Sequence, residues 1–122
     1  MNMKLIPKAA GRAPGEALLE SPHGYDGISK ICDSGNPHDS AMRVGVTTLD
    51  SELADREILL MKVDVEGYEC EVIAGAARTL ANTRFLIIEA QTDLQRDAVT
   101  RSLGSEWTRA KLTHCDYFFY RS

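Results

Sequence analysis

Three carboxylates carry the strongest chemical signal in this chain. Asp64 and Glu66 follow the apolar run Ile-Leu-Leu-Met at 58–61, and Glu89 follows the apolar run Phe-Leu-Ile-Ile at 85–88. Acids gathered at the ends of neighbouring strands repel one another unless a cation, a donor or a raised pKa accommodates them. Such a group suits general-base work, cation binding or recognition of a positively charged ligand. The plainer alternative is that these acids cap helix N-termini and accept from backbone donors. Glu69 and Glu71 read as acids that complement the positive end of a helix. Of the three histidines, His23 and His38 are scattered, and His114, in a loop between two closing strands, is the one placed for a functional role.

Sharper motifs are excluded. Asp64-Val65-Glu66-Gly67 has its glycine in the wrong place for a calcium loop, and the twelfth position is Gly75 instead of a bidentate acid. Gly27-Ile28-Ser29-Lys30-Ile31 misses the nucleophile elbow at its last residue. The chain has no Walker-type phosphate loop, no GxGxxG and no HExxH.

The elements that position the three acids follow from periodicity. The run at 58–61 is apolar on both faces, as a strand buried between helix layers should be, and Val63 and Val65 then alternate with Lys62, Asp64 and Glu66. Tyr68, Val72, Ile73, Ala76 and Leu80 fall at helical spacing and predict one amphipathic helix over 68–81. The run at 85–88 predicts a second buried strand. Strand, crossover helix and strand make a βαβ unit at 58–90 with parallel strands and a right-handed crossover. Ligands in such sheets bind beyond the carboxyl ends of the strands, where the three acids lie.

Thr92 followed by Gln95 is a capping-box signature for another helix, with Leu94, Ala98, Val99 and Leu103 inward and Gly104 as its stop. Residues 107–112 and 117–121 read as a closing pair of strands, completing a C-terminal helix and strand pair over 92–122. Upstream, 4–10 predicts a short strand and 43–47 another, with Thr48 or Asp50 capping a helical turn. The stretch 11–43 carries Pro14-Gly15, Tyr25-Asp26-Gly27 and Ser34-Gly35-Asn36-Pro37 and reads as loop-rich connection with at most one hairpin. The result is one α/β domain over 1–122 built on an open, mostly parallel sheet with a C-terminal antiparallel strand.

Composition bounds the function. The chain has 122 residues, 43% hydrophobic and 26% charged, which suits one small globular domain. Fourteen basic against eighteen acidic residues give a net charge of −4. That excludes the basic stripe of a nucleic-acid binder and the polybasic patch of a membrane-surface module. No apolar stretch approaches the roughly 20 residues that span a bilayer. Cys32, Cys70 and Cys115 fit neither zinc spacing nor a disulfide framework and read as reduced thiols of a cytoplasmic protein.

Lys62-Val63-Asp64-Val65-Glu66-Gly67-Tyr68-Glu69 resembles the signature of the FkbM family of S-adenosylmethionine-dependent methyltransferases. Thr48-Leu49-Asp50, Ile73-Ala74-Gly75-Ala76 and Ile87-Ile88-Glu89 match its accompanying motifs, with Val63 and Ile73 replacing the usual isoleucine and leucine. Ile6-Pro7-Lys8-Ala9-Ala10-Gly11 resembles the strand that precedes this block, so the resemblance covers nearly the whole chain.

The resemblance implies a Rossmann-like class I methyltransferase sheet and transfer of a methyl group to a hydroxyl oxygen of a small molecule or glycan. The first strand with its glycine-rich turn, which holds the methionine part of the cofactor, and the second strand, which holds the ribose, have no counterpart here. The expected sheet is therefore incomplete, the C-terminal portion of such an enzyme. Its exposed edges would be covered by a preceding segment or a second copy. Catalysis would rest on alignment, with a carboxylate or histidine taking the hydroxyl proton. By position, Ala9 and Ala10 approach the adenine and Asp64 faces the sulfonium. Glu66 orients substrate or supports its loop, and Glu89 and His114 line the acceptor side. A divalent cation between Asp64 and Glu89 is compatible with these residues and demanded by none of them. The competing readings are a non-catalytic module that pairs its open sheet edge with a partner and, ranked last, a metal-dependent hydrolase.

Overall fold

The computed structural model describes residues 2–20, 30–32, 41–53 and 55–122. The turns predicted at 25–27 and 34–37, His23, His38 and the side chain of Cys32 lie outside the described residues. The elements in chain order are β1 (Ala9–Ala10), β2 (Gly15–Glu20), β3 (Lys30–Cys32), β4 (Met42–Thr47), α1 (Leu49–Leu53), β5 (Ile58–Val63), α2 (Glu69–Ala74), α3 (Ala77–Ala81), β6 (Thr83–Glu89), α4 (Asp93–Leu103), β7 (Thr108–Lys111) and β8 (Asp116–Tyr120). No helix among the described residues is long and apolar enough to cross a membrane.

The α/β class holds, but the expected single, mostly parallel sheet is replaced by two four-stranded sheets, ordered β1-β4-β2-β3 and β5-β6-β8-β7. Each has one parallel pairing, β1 with β4 and β5 with β6. The other pairings are antiparallel. Part of the reason lies in the stretch read as connection. Gly15–Glu20 is a strand whose residues Gly15 to Leu19 pair with Val46 to Met42 of β4, and whose far end pairs with β3. Its Ala17-Leu18-Leu19 has no β-branched residue and no alternation, so only the ladder on either side makes it a strand. The strand expected at 4–10 shrinks to Ala9–Ala10.

The βαβ unit forms in parallel register, with Ile58 opposite Thr83 and Val63 opposite Ile88. Val63, Leu86, Ile88, Tyr117 and Phe119 face Val72 and Ile73 of α2 and Val99 and Leu103 of α4, and this single cluster is the core. The opposite face carries Phe85 stacked on Phe118, with ring centroids 5.5 Å apart, and Tyr120 beside it. Burial of β5 between two helix layers is thus not found. Among the described residues it is an edge strand, and Leu59 and Leu60 are 67% and 52% exposed.

The helix expected over 68–81 is broken at Gly75-Ala76 into α2 and α3. A continuous helix would join the Thr79 amide to the Gly75 carbonyl. Asp50 enters that ladder instead. Its amide donates to the Gly75 carbonyl (3.1 Å) while its Oδ1 accepts from the Thr79 amide and hydroxyl (both 2.8 Å) and its Oδ2 from the Arg78 amide (3.1 Å). A side chain inserted into the helical ladder is a recognised cause of a break. Asp50 therefore caps α3, while Thr48 caps α1 by accepting from the Ser51 amide at 3.1 Å.

The capping box at Thr92 and Gln95 is present, and Gly104 closes α4 with φ 91°. Leu94, expected to face inward, is 78% exposed. The buried stripe runs through Val99 and Leu103, and Leu94 lies nearly half a turn of the helix away from that line. Cys70 and Cys115 are free thiols.

Candidate functional site

Parallel register places the end of β5 beside the end of β6, so Asp64, the first residue past β5, comes next to Glu89, the last of β6. Between β5 and α2 the chain turns through Glu66 (φ 51°) and Gly67 (φ 100°). A side-chain-bearing residue in the left-handed region is disfavoured, and such strain is commonly kept where a site needs a particular direction. The turn brings one carboxylate oxygen each from Asp64, Glu66 and Glu89 within 4.8 Å of one another. Glu89 also belongs to a second trio with Cys115 and Asp116, because antiparallel register sets Asp116 directly opposite it. The β7–β8 turn fixes Asp116 there: the Thr113 hydroxyl donates to Asp116 Oδ2 (2.7 Å) and accepts from the Asp116 amide (3.0 Å).

Glu89 takes the electrostatic consequence. Burial raises its carboxyl pKa first, a hydrogen bond and the charge of Asp64 raise it further, and Glu66 and Asp116 add to this, carrying it to about 7. Its Oε1 accepts from Gln91 Nε2, and Lys62 Nζ lies 3.8 Å from Asp64 Oδ2. Oxygen donors at this spacing suit a hard divalent cation. Nothing in the arrangement requires one, since Glu89 can accommodate its neighbours by taking up a proton.

A cleft of about 490 Å³ adjoins the acids, lined by Ile6, Pro7, Lys8, Ala9, Ala10, Leu19, Ile31, Val44, Asp64, Val65 and Tyr68. Ala10 and Asp64 also border a smaller hollow of about 320 Å³ against Leu49, Leu53, Met61 and Val63. Ala9, Ala10 and Asp64 therefore share one cleft, and Asp64, Glu66 and Glu89 share one cluster, with Asp64 common to both. His114 is exposed in the β7–β8 turn and joins neither cluster.

Asp116 and Cys115 were missed as neighbours of Glu89. Strand prediction implied an antiparallel pair but not its register. Tyr68 was read only as a helix residue and lines the cleft.

A raised Glu89 pKa means that folding takes up a proton. This contribution to stability is complete below the usual value of 4.5 and is lost as the pH rises to about 7. Because the group is only half-buried and screened by solvent, the loss is expected to be about 1 kcal/mol and not the full value of the shift. Urea unfolding near pH 5 and near pH 8 checks it: Glu89→Gln should flatten this part of the pH dependence. Parallel curves for the two chains would contradict the assignment.

The arrangement is that of α/β enzymes, which gather their polar groups beyond the carboxyl ends of parallel strands next to a largely apolar cleft. The match to the methyltransferase FkbM domain extends over residues 4–119, and the chain belongs to that family of methyltransferases. No curated protein and no solved structure matches it.

Proposed function

We propose that the chain binds S-adenosylmethionine in the cleft beside Asp64 and supports methyl transfer to a hydroxyl oxygen of a small molecule or glycan. The carrying observation is that Asp64 belongs at once to the cleft wall with Ala9 and Ala10 and to the carboxylate cluster with Glu89. The order β5-β6-β8-β7, a parallel pair followed by an antiparallel hairpin, supports a Rossmann-like class I sheet without its first two strands.

The residues present fit the adenosine side of the cofactor. The cleft is of ligand size and mostly apolar, with one carboxylate at its rim. The chain has no glycine-rich turn for the methionine part. When bound, the cofactor supplies an electrophilic methyl group on a cationic sulfur. Ala9 and Ala10 leave room for a flat ring against β1, and Asp64 places negative charge where the positive sulfur would lie. Glu89, poised near 7, would take the acceptor's hydroxyl proton while the methyl carbon exchanges its bond to sulfur for one to oxygen, the electron pair of the broken bond staying on sulfur. Glu66 orients the acceptor from the turn. His114 has no part in this proposal.

Calorimetric titration of the folded chain with S-adenosylmethionine and S-adenosylhomocysteine tests it. Micromolar binding is expected, and Asp64→Asn should weaken the cationic ligand about tenfold while leaving the uncharged thioether nearly unchanged. Equal weakening of both ligands would remove the charge role from Asp64. A second reading, a partner-binding module of the same fold, is favoured by β5, which is an edge strand among the described residues and carries the exposed Leu59 and Leu60. A folded chain that binds neither ligand would put that reading first.

A further inference from the structure

Glu69 opens α2, where an acid ordinarily sits exposed and complements the helix dipole. Here it is only 3% exposed. A buried carboxylate is costly unless donors face it. The donors are specific: Glu69 Oε1 accepts from the Val65 amide (3.3 Å) and the Gly67 amide (3.2 Å). These two amides flank Glu66, whose left-handed backbone is unfavourable for any residue with a Cβ. One oxygen thus grips the turn on both sides of its strained residue. The Tyr68 amide, donating to the Val65 carbonyl (3.3 Å), closes the same turn from the backbone.

We propose that Glu69 is the positioning residue of the acidic site, holding the turn at 64–67 so that Asp64 and Glu66 face Glu89. The proposal rests on the reading of those three acids as the site, but its test does not pass through methyl transfer. Without the grip, the Val65 and Gly67 amides lose their acceptor, Glu66 can relax to negative φ, and its carboxylate swings away from Glu89.

The readout is the carboxylate titration of Glu89, followed by NMR in the full chain. Glu89 is faced by Asp64 and Glu66 from the turn and by Cys115 and Asp116 from the β8 side. Glu69→Gln and Glu69→Ala both remove the charge at 69, but only glutamine keeps an oxygen for the two amides. The glutamine chain should titrate Glu89 close to the wild-type midpoint of about 7, and the alanine chain at least about one pH unit lower. Identical midpoints in the two variants would overturn the proposal.

If the alanine chain does not fold, Glu69→Asp makes the comparison with the wild type. It keeps the charge and withdraws the oxygen by one methylene, and an unchanged midpoint would overturn the proposal equally. In the unaltered chain, the Val65 and Gly67 amides should exchange with solvent at least about tenfold more slowly than free amides. Exchange at the free rate would sink the idea without any substitution. A chain that passes these tests yet binds neither S-adenosyl ligand would retire the methyl-transfer reading and leave the hold of Glu69 on its turn standing.

Discussion

Gly75→Ala is expected to destabilise the chain by about 3 kcal/mol or more, a large share of the roughly 5–15 kcal/mol that keeps a domain folded. Gly75 has an ordinary φ of −94°, so its backbone conformation does not require glycine. Space does. A Cβ there would lie 2.0 Å from the Gly11 carbonyl oxygen, 3.1 Å from its carbon and 3.2 Å from Thr48 Cβ. The obstacle is backbone and cannot rotate aside as a side chain would. Gly11 is itself wedged, since a Cβ on it would meet Val46 Cγ1 at 2.8 Å and Tyr68 Cε1 at 3.4 Å. Relief must therefore come from separating the first sheet from the α2–α3 corner, which opens the cleft as well. Urea unfolding measures the loss, and a variant within about 0.5 kcal/mol of the wild type would mean that the two backbones are not in contact.

Asp50→Ala should cost about 3 kcal/mol, because it removes the acceptor of two amides and a hydroxyl. Thr79, fully buried, would be left with unpaired donors. Asn at the same position should cost less, since its carbonyl can still serve Thr79 while its amide group faces the Arg78 N–H. Burial acts to raise the Asp50 carboxyl, but the Thr79 and Arg78 amides, the Thr79 hydroxyl and the Arg78 charge outweigh it and hold it below the usual 3.8. Its contribution is therefore present above that value and fades as the pH falls through the lowered one. The penalty of Asp50→Ala should shrink in acid, the opposite direction to Glu89. A penalty unchanged down to about pH 2 would show that the charged form is not what caps α3.

How far these features could be read from residues alone depends on the range of the interactions behind them. Asp64, Glu66 and Glu89 were legible because each ends or follows an apolar run, and parallel pairing of such runs is nearly obligatory in a βαβ unit. Thr92 with Gln95 was legible because a capping box is complete within four positions. The break at Gly75 was not: Asp50 causes it from a distant part of the chain, and the apolar spacing from Tyr68 to Leu80 runs through it undisturbed. Gly15–Glu20 was hidden because its residues fit connection and strand equally until β4 supplies a ladder. Glu69 looked like any acid in a first helical turn, and only the positive φ values before it show what its carboxylate holds.

Arg121 lies with its guanidinium 4.4 Å from the ring centre of Trp107, while its Nη2 binds the carbonyls of Leu80, Ala81 and Thr83. Trp107 is the single tryptophan of the chain and is 7% exposed. The protein thus carries its own optical probe, sited where the end of α3, the start of β6 and the C-terminal strand pair meet. Its emission will report the packing of that corner, so fluorescence and circular dichroism recorded on one sample would show whether the corner and the remaining secondary structure are lost together.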